Sequence, residues 1–252
     1  MNFVVVKGKR VLLFIIVIAT ALFIVFSGLG ISSAFSKSAR KLPIYRVRTE
    51  EKKIAISFDC AWGVDYTNKL LQTMQDEGVV STFFMVEFWA KKHPEYVTKI
   101  DQMGHEIGTH SATHPYMSKL SKEQIIKELT TSSNAITEIT NKKVQVFRPP
   151  YGDYNDRLIE TAKELGLYTI QWDVDSLDWK NLSSTEIFNR VVKRVKNGSI
   201  VLFHNNGLHT AEALPLIIKE LKKQGYTFTT IGDLIYKDNY KMAVDGEQIK
   251  LI

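Results

Sequence analysis

Two histidines stand four residues apart in Gly108-Thr-His-Ser-Ala-Thr-His-Pro115, just after the short apolar run Glu106-Ile-Gly108. Neutral imidazole is the commonest side-chain ligand of a divalent metal, and this spacing can bring His110 and His114 to one cation. Alone, the pair reads as readily as two loop histidines. A second stretch changes the weighting, because Ile54-Ala-Ile-Ser-Phe-Asp-Cys60 has the make-up of a buried strand ending in a carboxylate, Asp59. Other β-rich runs also end in polar groups: Arg148-Pro-Pro-Tyr-Gly152, Asp175-Ser-Leu-Asp-Trp179 and Leu202-Phe-His204. A single charged residue after a strand is ordinarily a solvated loop residue or a helix cap. An acid, a base or a cation after each of five strands points instead to one shared site.

Such a rim needs a fold that aligns its strand ends. The β-rich runs are 54–58, 80–86, 105–109, 144–148, 167–174, 199–204 and 226–230, with amphipathic helical stretches between them. Leu70, Leu71 and Met74 precede Gly78, and Ile159, Ala162 and Leu165 precede Gly166. Leu214, Ile217, Ile218 and Leu221 precede Gly225, and Ser121 with Gln124 forms a capping box ahead of Ile125, Ile126 and Leu129. This alternation predicts an α/β fold: a distorted or incomplete (β/α) barrel of about seven parallel strands. An open doubly wound sheet is the alternative, and both place function at the C-terminal strand ends.

With 252 residues, 44% apolar and 24% charged, the chain suits one substantial domain plus an extension. Lys7, Lys9 and Arg10 lie in a basic segment, 1–10, ahead of an apolar run from Val11 to Phe26 that continues to Ile31. At about 1.5 Å per residue, segment 11–33 is long enough to cross a bilayer as an N-terminal transmembrane helix. A signal peptide cleaved near Ser32-Ser-Ala34 is the alternative, which would leave a secreted protein. Cations flank both sides, so the positive-inside rule leaves orientation open. The expected organisation continues with a juxtamembrane linker at 34–51, a catalytic domain at 52–236 and a polar tail at 237–252, whose weak β character predicts either an added edge strand or a mobile end. The net charge of +6 is spread along the chain, with no nucleic-acid recognition module. A single cysteine, Cys60, rules out an intrachain disulfide.

Over roughly Lys53 to Leu234 the chain resembles the polysaccharide deacetylases with a NodB homology domain. The resemblance rests on ordered motifs: Ser57-Phe-Asp-Cys60, His110-Ser-Ala-Thr-His114, Arg148-Pro-Pro-Tyr-Gly152, Asp175-Ser-Leu-Asp-Trp179 and Leu202-Phe-His204. The form Ser57-Phe-Asp-Cys-Ala-Trp-Gly63 is most similar to the PdaB-type sporulation deacetylases. It implies that His110 and His114 hold a divalent metal, commonly zinc, and that Asp59 is the base, with Arg148 fixing its orientation. Tyr151 would offer its backbone N–H to the oxyanion from a loop stiffened by Pro149 and Pro150. His204 would be the general acid, oriented by Asp178, with Asp175 as the alternative partner. Trp179, Trp172 and Trp62 are candidate sugar-stacking faces, each equally readable as core. Cys60 stands where the family usually has a metal-binding aspartate. It is either a third ligand or a small buried apolar residue, and Asp65 nearby is a possible substitute ligand.

Three functions follow. The first is metal-dependent N-deacetylation of a cell-wall glycan such as peptidoglycan or spore cortex, by a membrane-anchored, extracytoplasmic enzyme. The second is a catalytically weak glycan-binding protein of the same fold, and the third an esterase for O-acetyl polysaccharide. The resemblance implies an acetylated cell-wall glycan and, through the N-terminal helix, a membrane as partners.

Overall fold

The computed structural model describes residues 8, 13, 15–20 and 40–251. The chain forms two compact units, Met1–Arg40 and Lys41–Ile252. In the first, residues 8, 13 and 15–20 are helical and exposed, and Arg40 is exposed outside any helix. No helix among the described residues is long and apolar enough to cross a membrane, and most of the anchor expected at 11–33 lies outside them.

The second unit runs β1 (Arg46–Val47), β2 (Lys53–Cys60), α1 (Thr67–Asp76), β3 (Thr82–Met85), α2 (Glu87–Lys92), α3 (Pro94–Gln102), β4 (Glu106–Thr109), α4 (Lys122–Thr140), β5 (Val146–Phe147), α5 (Asp156–Glu164) and β6 (Tyr168–Thr169). It continues through β7 (Val174–Asp175), α6 (Ser184–Val192), β8 (Ile200–His204), α7 (Thr210–Lys223), β9 (Thr227–Phe228), α8 (Ile231–Leu234), β10 (Tyr240–Met242) and β11 (Glu247–Lys250). Parallel pairing in the order β6-β5-β4-β3-β2-β8-β7 makes a half-barrel, with β9 also beside β2. The incomplete barrel is therefore the architecture, rather than the open doubly wound sheet.

Strand alternation sorts the side chains of β2. Ile54, Ile56, Phe58 and Cys60 enter the apolar cluster with Leu70, Leu71 and Met74 of α1 and Leu214 and Ile217 of α7. The opposite parity places Ser57 and Asp59 on the other face. Burying each such aliphatic side chain contributes about 1.5–3 kcal/mol, which holds the helices on the sheet. The capping box at Ser121 and Gln124 forms in both directions and opens α4.

Two expectations need correction. Residues 167–174 are not one strand: β6 pairs with β5, while β7 pairs with β8 at the opposite edge. The Asp173 carboxylate accepts from Ser199 Oγ and Ile200 N–H, both at 2.9 Å, and draws the chain across to β8. Nor is 34–51 wholly linker, since the folded unit begins at Lys41 and the segment 44–47 spans the gap between the two edges. Ile44 bridges to Ile170, Arg46 bridges to Ser199, and Val47 N–H donates to Gly198 O. Gly198 permits that approach: its φ is +74°, and a Cβ there would lie 1.7 Å from Val47 O. Of the two alternatives for the tail, the strand is the one found: residues 240–250 form the hairpin β10–β11, which pairs with β1 and presents Glu247 to Arg46 and Arg48.

Candidate active site

The polar groups expected at the rim converge there. Asp59 and His204 are register partners on β2 and β8. Arg148, fully buried after β5, donates from Nη1 to Asp59 Oδ1 at 2.8 Å and from Nη2 to Ser57 Oγ at 2.8 Å and Gln171 O at 3.2 Å. Its guanidinium lies 4.2 Å from the Phe84 ring centroid and 5.5 Å from that of Trp172, so Trp172 braces the arginine rather than facing a sugar. Burial pushes the Asp59 carboxyl up, but the Arg148 guanidinium, by its charge and its hydrogen bond, leads the groups that outweigh it and holds it below the usual carboxylate range.

His204 is governed separately. Asp178, fully buried, accepts from His204 Nδ1–H and His204 N–H, each at 2.8 Å, and from Thr210 Oγ at 2.7 Å. Burial lowers the His204 pKa, yet the Asp178 hydrogen bond and charge prevail and raise it above the ordinary value. With Nδ1 committed, Nε2 is the nitrogen left to the pocket. Asp175 has another task, accepting from Leu177 N–H in the turn that leads to Asp178.

The histidine pair lies beside Asp59. His110 Nδ1–H donates to Arg148 O at 2.7 Å, so its Nε2 lone pair is free and stands 3.6 Å from Asp59 Oδ2. The His114 ring lies 4.9 Å from that of His110, and its buried Nδ1 has no protein partner. Burial, then the neighbouring His110, pushes His114 down to about 4; burial likewise lowers His110, so both are neutral at pH 7. Two neutral imidazoles with uncommitted nitrogens fit a divalent cation, though they supply only two ligands.

No third ligand joins them. Among the described residues, no three His, Cys, Asp or Glu side chains gather as a metal cluster. Cys60 does not act as that ligand here, because strand parity turns it into the apolar cluster with Phe58. Burial, then Asp59, pushes its thiol well above the ordinary value, so it is not a thiolate at pH 7. Asp65 is exposed and joins no such cluster.

The Pro149–Gly152 turn aims Tyr151. The turn's own bonds run from Gly152 N–H and Asp153 N–H to the carbonyls of Pro149 and Pro150, which leaves the Tyr151 amide outside them. Tyr151 has φ +58°, and Ser111, His114, Leu177 and Asn181 share positive φ on the same rim loops. Such strain costs on the order of 1–3 kcal/mol per residue and gathers where function demands the geometry. Ser111 and Thr113 are turn residues, as expected: Ser111 Oγ accepts from His114 N–H, and Thr113 is held by Glu128. Trp179 and Trp62 are exposed at the rim, Trp62 edge-on to His114.

Ser57 supports the site from within its motif, and supporting residues without a motif signal are Gln171, Glu128 and Thr210. Gln171 Nε2–H donates to Gly152 O at 2.9 Å, steadying the Tyr151 turn. Glu128 of α4 accepts from Ala112 and Thr113 N–H and fixes the loop between the two histidines. Helix periodicity places Glu128 three residues after Ile125 and next to Leu129, and nothing local says that it turns to that loop.

Residues 46–170 match the polysaccharide deacetylase family model. The chain is 38% identical over 196 residues to peptidoglycan-N-acetylglucosamine deacetylase of Bacillus cereus, covering 76% of this chain and 92% of that one. It is 33% identical over 202 residues to peptidoglycan-N-acetylmuramic acid deacetylase PdaA of Bacillus subtilis, covering 79% and 77%. To the uncharacterized protein YlxY of Bacillus subtilis it is 32% identical over 203 residues, 81% of this chain and 63% of that protein's length. Among solved structures, BA3943 of Bacillus anthracis, a CE4 family pseudoenzyme, superposes with a TM-score of 0.74 at 33% identity, covering 81% and 69%. A mutant of that protein is described as having restored enzymatic activity. With the ordered motifs gathered on one rim of a half-barrel, and a relative matched over nearly its whole length, the chain belongs to the polysaccharide deacetylase family.

Proposed function

We propose that this protein hydrolyses N-acetyl groups on the sugars of a cell-wall glycan, peptidoglycan foremost. The observation that carries the reading is the separation of two titratable groups at paired strand ends. Arg148 holds Asp59 ionised, as a base must be, while Asp178 favours the protonated His204 that an acid requires. Asp59 takes the proton of the attacking water. The Tyr151 N–H meets the charge that develops on the carbonyl oxygen. His204 then delivers its Nε2 proton to the departing amine, which leaves poorly without one. A divalent cation at His110 and His114 would supply a more acidic water and a polarised carbonyl.

Acetate release from peptidoglycan by the full-length chain, as purified, chelated, and resupplied with zinc, tests the proposal. Release that falls on chelation and returns with metal supports it, and a folded protein that releases none overturns it.

One observation favours a second reading. With Cys60 in the core, the histidine pair has no third protein ligand among the described residues, so weak metal retention would leave a glycan-binding protein. The pseudoenzyme neighbour is in keeping with that outcome. Glycan affinity without acetate release distinguishes it. The apolar segment 11–33 supports an extracytoplasmic, membrane-anchored location. The sporulation setting rests on the form of residues 57–63, and the timing of expression tests it.

A further inference from the structure

The large exposed apolar side chains of the folded unit concentrate on the active-site rim. Trp62, Phe88, Tyr116, Tyr151, Trp179 and Leu208 each follow the C-terminal end of a barrel strand. Two of these aromatics carry a lysine. Lys119 Nζ stands 4.6 Å from the Tyr116 centroid, and Lys180 Nζ stands 4.9 Å from that of Trp179. Neither lysine enters an ion pair among the described residues, unlike Lys91 and Lys122 on the helices nearby.

Tyr116 is shared between two neighbours: it stacks on Tyr151 at 4.4 Å and 19°, and Lys119 Nζ also rests against the ring. The ring therefore holds an ammonium at the rim. An ammonium resting on a ring keeps outward N–H groups, and what it presents to a ligand is charge. Strand order puts the two pairs on opposite sides of the reacting centre. Lys119 follows β4 and Lys180 follows β7, each two strands from β2, which carries Asp59. Lys119 is pinned beside the Pro149–Gly152 turn by the Tyr116–Tyr151 stack and the Ser118–Asp153 bonds, so the ends of β3, β2 and β8 lie between the two pairs, and a glycan crossing Asp59 extends toward one of them on each side.

We propose that Lys119 and Lys180 are specificity-determining residues that bind carboxylates on the sugars flanking the attacked one. The substrate class is then a glycan in which acid-bearing sugars alternate with the N-acetylated sugar attacked. In peptidoglycan strands whose stem peptides have been removed, so that the muramoyl carboxyls are free, that sugar is an N-acetylglucosamine between two muramoyl residues. The inference rests on the reading above in one respect, that the attacked sugar lies at Asp59 and His204.

The test uses the full-length chain with three probes: peptide-free muramoyl glycan strands, the same strands with their carboxylates amidated, and chitopentaose. Affinity by calorimetry and acetate release are measured in parallel. Acidic strands bind more tightly than amidated ones, and the preference fades at high salt. The double variant Lys119→Gln/Lys180→Gln loses about tenfold more affinity for acidic strands than for amidated strands or chitopentaose, and the double arginine variant retains it. Equal wild-type affinity for acidic and amidated strands overturns the inference, as does an equal loss on both in the variant. Lysine-dependent binding without acetate release refutes only the hydrolase reading. Acetate release with charge-blind binding refutes only this one.

Discussion

Asp59 and His204 occupy paired positions on adjacent parallel strands, yet each answers to its own partner, Asp59 to Arg148 and His204 to Asp178. Asp59→Asn and His204→Ala are each expected to lower kcat by between about a hundredfold and ten-thousandfold, with circular dichroism unchanged. Asp59→Ala adds a stability cost of about 3–5 kcal/mol, because it leaves the buried Arg148 without its counter-charge. Single-turnover acetate release and urea midpoints check both effects, and a fully active Asp59→Asn would remove the base from the scheme.

The same pair sets the pH profile. Asp59 is depressed, so the ionised base survives to below the ordinary carboxylate range as pH falls. His204 is raised, so the protonated acid persists above its ordinary 6.5 and activity falls as pH climbs through the raised value. Asp178→Asn is expected to move that basic limb to lower pH and leave the acidic limb in place. An unmoved basic limb in kcat would show that His204 is not the acid it reports.

Cys60 has a role that metal titration can read. Since the side chain packs with Phe58, Cys60→Ala should cost about 1–2 kcal/mol of stability and leave zinc affinity unchanged. A loss of affinity on this substitution would restore the thiol as a ligand.

Acid stability is expected to depend on His105. Burial depresses its pKa from 6.5 to about 4, and its Nδ1 accepts from Ser81 N–H. The unfolded chain takes up this proton near 6.5 while the folded chain does not until about 4. Stability from this group is therefore complete above 6.5 and is lost as pH falls toward 4, by about 3 kcal/mol in all. His105→Gln should flatten that part of the stability curve between pH 7 and pH 4, measured by urea unfolding.

Gly198 tests the closure of the half-barrel. Gly198→Ala forces positive φ on a residue with a Cβ and drives that atom into Val47 O. A loss of at least about 2 kcal/mol is expected, with proteolysis near residues 44–48 rising before global unfolding. A variant of unchanged melting temperature would show that the Val47 contact yields freely.

The ordered strand ends and their polar residues were legible in the chain because they are local. Period-two apolar runs announce buried strands, and a carboxylate, an imidazole or a guanidinium just beyond one stands out against them. Parity alone would also have separated Cys60 from Asp59, as successive residues of a strand face opposite ways. Tertiary structure decided what depends on partners remote in sequence. Asp178 rather than Asp175 meets His204 because the turn after β7 spends Asp175 on Leu177 N–H. Residues 167–174 divide between two sheet edges because Asp173 finds its donors at Ser199 and Ile200. Ser57, Gln171 and Glu128 become supports of the site only once strand register and helix rotation bring them to Arg148, the Tyr151 turn and the histidine loop. A motif states which groups are available, and hydrogen-bond geometry between distant segments assigns each one its work.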